Sequence, residues 1–186
     1  MTYKEALTKA PYRESTYVCI LLAMANQLSG MNAVAIYSKV ILSNINAKTN
    51  HKVHWTVTPN EGCAYLGVAS FLGAVLSIYV IRRAKKRKNI FVIGHFLIFL
   101  TLLISGSFVQ YGHGFVCLIF MCIAVCIFQA TNGGSFWLYI SMEATDKAMG
   151  LSLFTLMGLL LLQAFYTQDL LKECGVHGLF YLFSAI

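Results

Sequence analysis

Asn26-Gln27-Leu28-Ser29-Gly30-Met31-Asn32-Ala33-Val34-Ala35-Ile36-Tyr37-Ser38 lies inside the first long apolar run of the chain, Thr16 to Ser43, yet three of its residues are carboxamides. An amide in a hydrocarbon-spanning helix is costly unless it faces a cavity or a neighbouring helix, and it brings a donor and an acceptor to whatever it faces. The Ser29-Gly30 pair lets the helix bend and expose backbone, as discontinuous membrane helices do. The stretch predicts a polar wall set into a membrane bundle.

The rest of the chain supports that setting. Of its 186 residues 58% are hydrophobic and 11% charged, with a mean hydropathy of +0.69, a balance suited to a bilayer rather than to water. Crossing about 30 Å of hydrocarbon takes roughly 20 residues of helix, because every backbone amide must find its partner internally. Five runs are long enough: Thr16 to Ser43, Gly62 to Ile81, Ile90 to Gln110, Phe115 to Ser141 and Ala148 to Thr167. A sixth, Val176 to Ile186, reaches only about 16 Å as helix, so it ends inside the membrane or against a partner. The expected fold is all-α and membrane-embedded, with five full transmembrane helices and a short sixth.

Charge sits in the connections. Lys39, near a helix end, snorkels. Lys4, Lys9, Arg13, the six basic residues of Arg82 to Lys88, and Lys147 put ten of the 14 Lys and Arg on one membrane face. Lys39, Lys48, Lys52 and Lys172 occupy the other. By the positive-inside tendency, residues 1–15 and the loop 82–88 face the cytosol, or the matrix of a mitochondrion. The net charge of +7 does not indicate nucleic acid, since a short basic loop between spans is accounted for by topology and anionic headgroups.

Of the six cysteines, Cys117, Cys122 and Cys126 share one apolar span, where thiols act as small hydrophobes. Cys63 and Cys174 lie near the same predicted face and are a candidate pair in an oxidising compartment. His95 and His113 read as caps or headgroup contacts near helix ends rather than as a proton relay. No spacing suits a metal or another cofactor, and no nucleophile, base and orienting group stand at spacing usable for an enzyme. No cleavable signal and no Asn-X-Ser/Thr acceptor are visible, and Glu5 and Glu14 make the N-terminus a poor mitochondrial presequence.

The residues 26–38 resemble the Gln-Gln-Leu-Ser-Gly-Ile-Asn-Ala-x-x-x-Tyr-Ser signature in the seventh helix of the sugar porters of the major facilitator superfamily. Downstream, Arg82-Arg83-Ala84-Lys85-Lys86-Arg87 stands where the family carries an acid followed by Gly-Arg-Arg, without the acid or the glycine. Gln129-Ala130-Thr131-Asn132-Gly133-Gly134-Ser135-Phe136-Trp137 is similar to the tenth-helix segment, with Gln129 in place of a Glu and no prolines. Glu143 to Ala148 loosely matches the following turn. The resemblance spans the chain and covers the C-terminal six-helix half of a twelve-helix fold, so residues 1–186 are expected to form one half-transporter domain.

The resemblance implies a sugar near the bilayer midplane between two halves that rock about it. Carried over residue by residue, the substrate-binding positions are Asn26, Gln27, Asn32, Ser70 in place of an Asn, Gln129 and Trp137, while Leu160 replaces a polar residue of the eleventh helix. Each has a plainer reading: the amides as interhelical packing contacts, Trp137 as an interfacial anchor. Neither proline, Pro11 nor Pro59, lies inside a span, which implies spans stiffer than a working gate.

Two functions follow. One is a transport-incompetent accessory subunit packed against other transmembrane subunits of a larger complex, for which the mitochondrial inner membrane is one candidate home. The other is a hexose transporter completed by a complementary half or by a second copy. The first is favoured by the altered motifs and the single half, the second by the intact 26–32 run.

Overall fold

The computed structural model describes residues 2–48, 57–83 and 87–185. Lys52, Lys85, Lys86 and Ile186 lie outside the described residues, as do the side chains of Lys48 and Arg87.

Among the described residues every regular element is helical: α1 (Tyr3–Thr8), α2 (Ala10–Leu28), α3 (Met31–Ile36), α4 (Ser38–Lys48), α5 (Pro59–Arg83), α6 (Arg87–Gln110), α7 (Gly114–Phe128), a π turn (Gln129–Gly133), α8 (Gly134–Glu143), α9 (Asp146–Glu173) and α10 (Gly175–Ala185). Five stretches are long and apolar enough to cross a membrane: Tyr12–Ile36, Pro59–Arg83, Lys88–Gln110, Gly114–Met142 and Asp146–Glu173. These are the five runs read from the sequence: the second, fourth and fifth extend by a few residues at both ends and the third at its start, while the first begins earlier, at Tyr12, and ends at Ile36 rather than Ser43. Pro59 opens α5 at its first position, where a missing amide proton costs nothing. Thr145 caps α9, its hydroxyl accepting from the Ala148 amide.

Two spans are interrupted. At Gly30 the backbone takes φ 74°, the left-handed region, between α2 and α3. In the fourth span the π turn separates α7 from α8. Without an interior proline, the interruptions come from a glycine in the first span and one widened turn in the fourth.

Packing follows size and sequence order only in part. α6 runs along α7 and α10, α2 along α9, and α5 along α7 and the π turn. The larger core joins Val34, Ile41, Leu102, Met121, Leu179 and Phe180, all nearly inaccessible. A second cluster, with Cys19, Ala23, Phe136 and Ile140, lies between α2, α6, α8 and α9. The short helix α10 buries Val176, Leu179, Phe180 and Phe183, so within the chain its partner is chiefly α6.

At the end of the bundle that holds α1, Lys147 stands 4.8 Å from the centre of the Tyr3 ring, joining α1 to the start of α9. No disulfide joins the six cysteines, Cys63 and Cys174 included.

Candidate functional site

The break at Gly30 positions the amides. Because α2 stops at Leu28 and α3 restarts on a new axis, Gln27 at the end of one helix and Asn32 at the start of the next come face to face: Asn32 Nδ2 donates to Gln27 Oε1 at 2.7 Å. Gln27 Nε2 donates to Gln163 Oε1 at 2.6 Å, and Gln163 Nε2 returns a bond of 2.8 Å to the Gln27 carbonyl, one of the backbone acceptors freed by the break. The Tyr37 hydroxyl donates to the Ala164 carbonyl on the same helix. Gln27 is fully buried.

On the other side of Asn32 a cavity of about 240 Å³ opens between α3, α5, α7 and the π turn, lined by Asn32, Ser38, Cys63, Ser70 and Gln129 among apolar neighbours. Gln129 Nε2 donates to Ser70 Oγ at 3.0 Å, and Ser38 Oγ lies 3.4 Å from Cys63 Sγ. The approach depends on Gly73, one turn beyond Ser70: a Cβ there would stand 2.5 Å from the Cys126 carbonyl oxygen, so only glycine lets α5 lie this close to α7.

Of the six residues predicted from sequence, Asn32, Ser70 and Gln129 therefore share one cavity, and Gln27 joins it through Asn32. Asn26 and Trp137 do not line it. Asn26 follows the helix about 100° round from Gln27, so the two cannot face one way; Asn26 is buried elsewhere, with its Oδ1 unpartnered. Trp137, beyond the π turn, is 48% exposed and stacks edge-on against Phe136.

Gln163 is absent from the sequence reading, and His95 takes a different place from the one expected. Gln163, three residues beyond Leu160 on α9, is the partner of Gln27; its only signal is a lone amide in the run Leu159-Leu160-Leu161-Leu162-Gln163. His95 is not near a helix end. It sits well inside α6, its Nδ1 lying 2.9 Å from the Phe91 carbonyl and 3.1 Å from the Asn132 amide of the π turn, its Nε2 3.3 Å from the Ala25 carbonyl of α2. One imidazole thus ties together the two interrupted spans. Asn132 is itself fully buried with an unpartnered Oδ1. Only His113 stands at a helix end, preceding α7, and it makes no capping bond from its side chain; its ring meets Phe108 edge-on.

The arrangement offers neutral donors and acceptors at a bend in a membrane helix, the means of holding a polyhydroxylated, uncharged molecule. A family model described as "Sugar (and other) transporter" matches residues 1–186. Among curated proteins, none matches the chain.

Proposed function

We propose, since the chain belongs to the sugar (and other) transporter family, that it supplies one wall of a sugar-transport site. The opposite wall comes from a complementary half, on the same polypeptide or another, or from a second copy. The observation that carries this reading is the convergence of Asn32, Ser70 and Gln129, from three separate spans, on one cavity. Amides that served packing alone would have no reason to meet at an opening. The cavity's 240 Å³ falls below the roughly 300–1,000 Å³ of closed small-molecule sites, as expected for half a site.

In this reading Asn32 and Gln129 present amides to a hexose, Ser70 a hydroxyl, and the Gln27–Gln163 pair holds Asn32 in place. Residues 1–186 act as a single half-transporter unit, with residues 1–15 and the loop 82–88 on the cytosolic or matrix side. Uptake of labelled hexose into proteoliposomes containing the chain with its complementary half tests it: saturable uptake that Gln27→Ala and Asn32→Ala abolish supports transport.

A second reading has its own observation. Every polar atom of the Gln27 side chain is engaged by Gln163 or Asn32, which is how a structural interhelical contact looks. The chain would then be a transport-incompetent accessory subunit of a larger membrane complex, the mitochondrial inner membrane being one setting. Stable co-elution with a large non-transporter assembly in mild detergent, with no hexose uptake, would select it over transport.

A further inference from the structure

Helices α2 and α6 do not lie along each other, because α2 is paired with α9, and α6 with α7 and α10. Below the hydrogen bond of His95 to Ala25 they leave a groove of about 510 Å³, walled by Val18, Leu21 and Leu22 on one side and Phe91 and Val92 on the other, with Tyr139 of α8 also lining it. Several of these walls are open: Leu21 is 62% and Val92 61% exposed.

The groove has a direction. From Val18 to Ala25 is seven residues of helix, about 10 Å, running from the end where α2 and α6 begin toward the middle of the bundle. One charged residue lines it, Lys88, at that outer end. Lys88 closes the run Arg82-Arg83-Ala84-Lys85-Lys86-Arg87-Lys88, and Arg82 and Arg83 are exposed at the end of α5. An apolar trough that opens beside Lys88 and a run of basic residues is complementary in shape and charge to a diacyl lipid with an anionic head.

We propose that this groove is a binding site for one anionic phospholipid, whose phosphate meets Lys88 and whose upper acyl chain lies between α2 and α6. The lipid fills the space that the pairing of these helices with other partners leaves empty, and its chain ends beneath the His95–Ala25 hydrogen bond.

Native mass spectrometry of the full chain in mild detergent, titrated with palmitoyl-oleoyl phosphatidylglycerol or the matching phosphatidylcholine, tests the site. The expected result is one retained phosphatidylglycerol, favoured over phosphatidylcholine by about fivefold, the weight of one basic residue near an anionic surface. Lys88→Gln should remove that preference and Lys88→Arg should restore it. Val92→Trp, at an exposed position that a larger ring fills without disturbing the core, should displace both lipids, whereas Val75→Trp on the outer face of α5 should change nothing. Equal retention of the two lipids by the native chain, or a phosphatidylglycerol adduct indifferent to both Lys88→Gln and Val92→Trp, would overturn the proposal.

Discussion

The first and fourth spans and the second and fifth are built on opposite plans. Half of the most apolar window is buried in each of the first and fourth, against 22% in α5 and 17% in α9. The buried pair are the interrupted ones, at Gly30 and at the π turn; the exposed pair run unbroken through 25 and 28 residues. The difference has a physical cause. In hydrocarbon, backbone released from its helix must find partners in protein, so a break is tolerated only where other helices cover it. Gln163 bonding the Gln27 carbonyl, and Phe183 of α10 lying over Gly30, are that cover. The outer spans keep their own hydrogen bonds and spend their side chains on lipid or a partner, as Phe71, Tyr79, Phe154 and Phe165 show by their exposure.

The sharpest way to break this comparison is at Gly30. A Cβ there would fall 2.2 Å from the Phe183 ring and would hold φ +74° against its preference. Left-handed backbone and overpacking together should make Gly30→Ala cost about 2–5 kcal/mol, read as a large drop in thermal unfolding temperature in detergent.

Next comes the amide pair. Gln163→Leu leaves Gln27 Nε2 without its acceptor and takes one of two donors from the Gln27 carbonyl, an expected loss of about 1–2 kcal/mol. In a double-mutant cycle with Gln27→Leu, the double variant should lose less than the two singles summed. Strict additivity would mean that the pair does not act as a unit.

The exposed face of the unbroken α9 should be nearly indifferent. A Cβ at Gly158 of α9 meets nothing within 4 Å, and Phe154 is 79% exposed. Gly158→Ala and Phe154→Ala are expected to shift the stability of the isolated chain by no more than about 0.5 kcal/mol. An effect there as large as at Gly30 would erase the distinction between the two plans.

The smallest effect lies outside the spans. The Lys9 ammonium, 2.7 Å away, and then the Thr2 backbone amide hold the Glu5 carboxyl down at about 2, against an ordinary 4.5. Since the folded value is the lower, the support this capping box lends α1 is complete above the ordinary value and disappears as pH falls through about 2. Carbon chemical shifts of Tyr3 to Thr8 should report fraying of α1 alone across that window, and Glu5→Gln should abolish the pH dependence.

Much of this was readable along the chain. Hydrophobic runs of bilayer length located all five spans, and the helix at Val176 to Ile186 was recognised as too short to cross. The Ser29-Gly30 break and the amides around it were visible because polar groups and glycine stand out against an apolar background. What was not visible concerned partners distant in sequence. A run read as starting at Ile90 sets His95 close to a helix end, whereas α6 begins at Arg87 and carries the ring inward. An isolated amide such as Gln163 in a leucine-rich run has no meaning until another helix presents its partner, here Gln27. Trp137 and Asn26 were grouped with the cavity residues by motif, whereas helix phase and the π turn set them elsewhere.

The sequence alone therefore determined that the chain enters a membrane, how often it crosses, and where a span must bend, since transfer of each residue into hydrocarbon depends mainly on local polarity. The tertiary structure decided which amides meet, which three residues open onto a common cavity, and which helices leave a groove between them. Those outcomes depend on close approach permitted at Gly73 and Gly30 and on the rotation of one helix against another, and neither is encoded in the composition of any single segment.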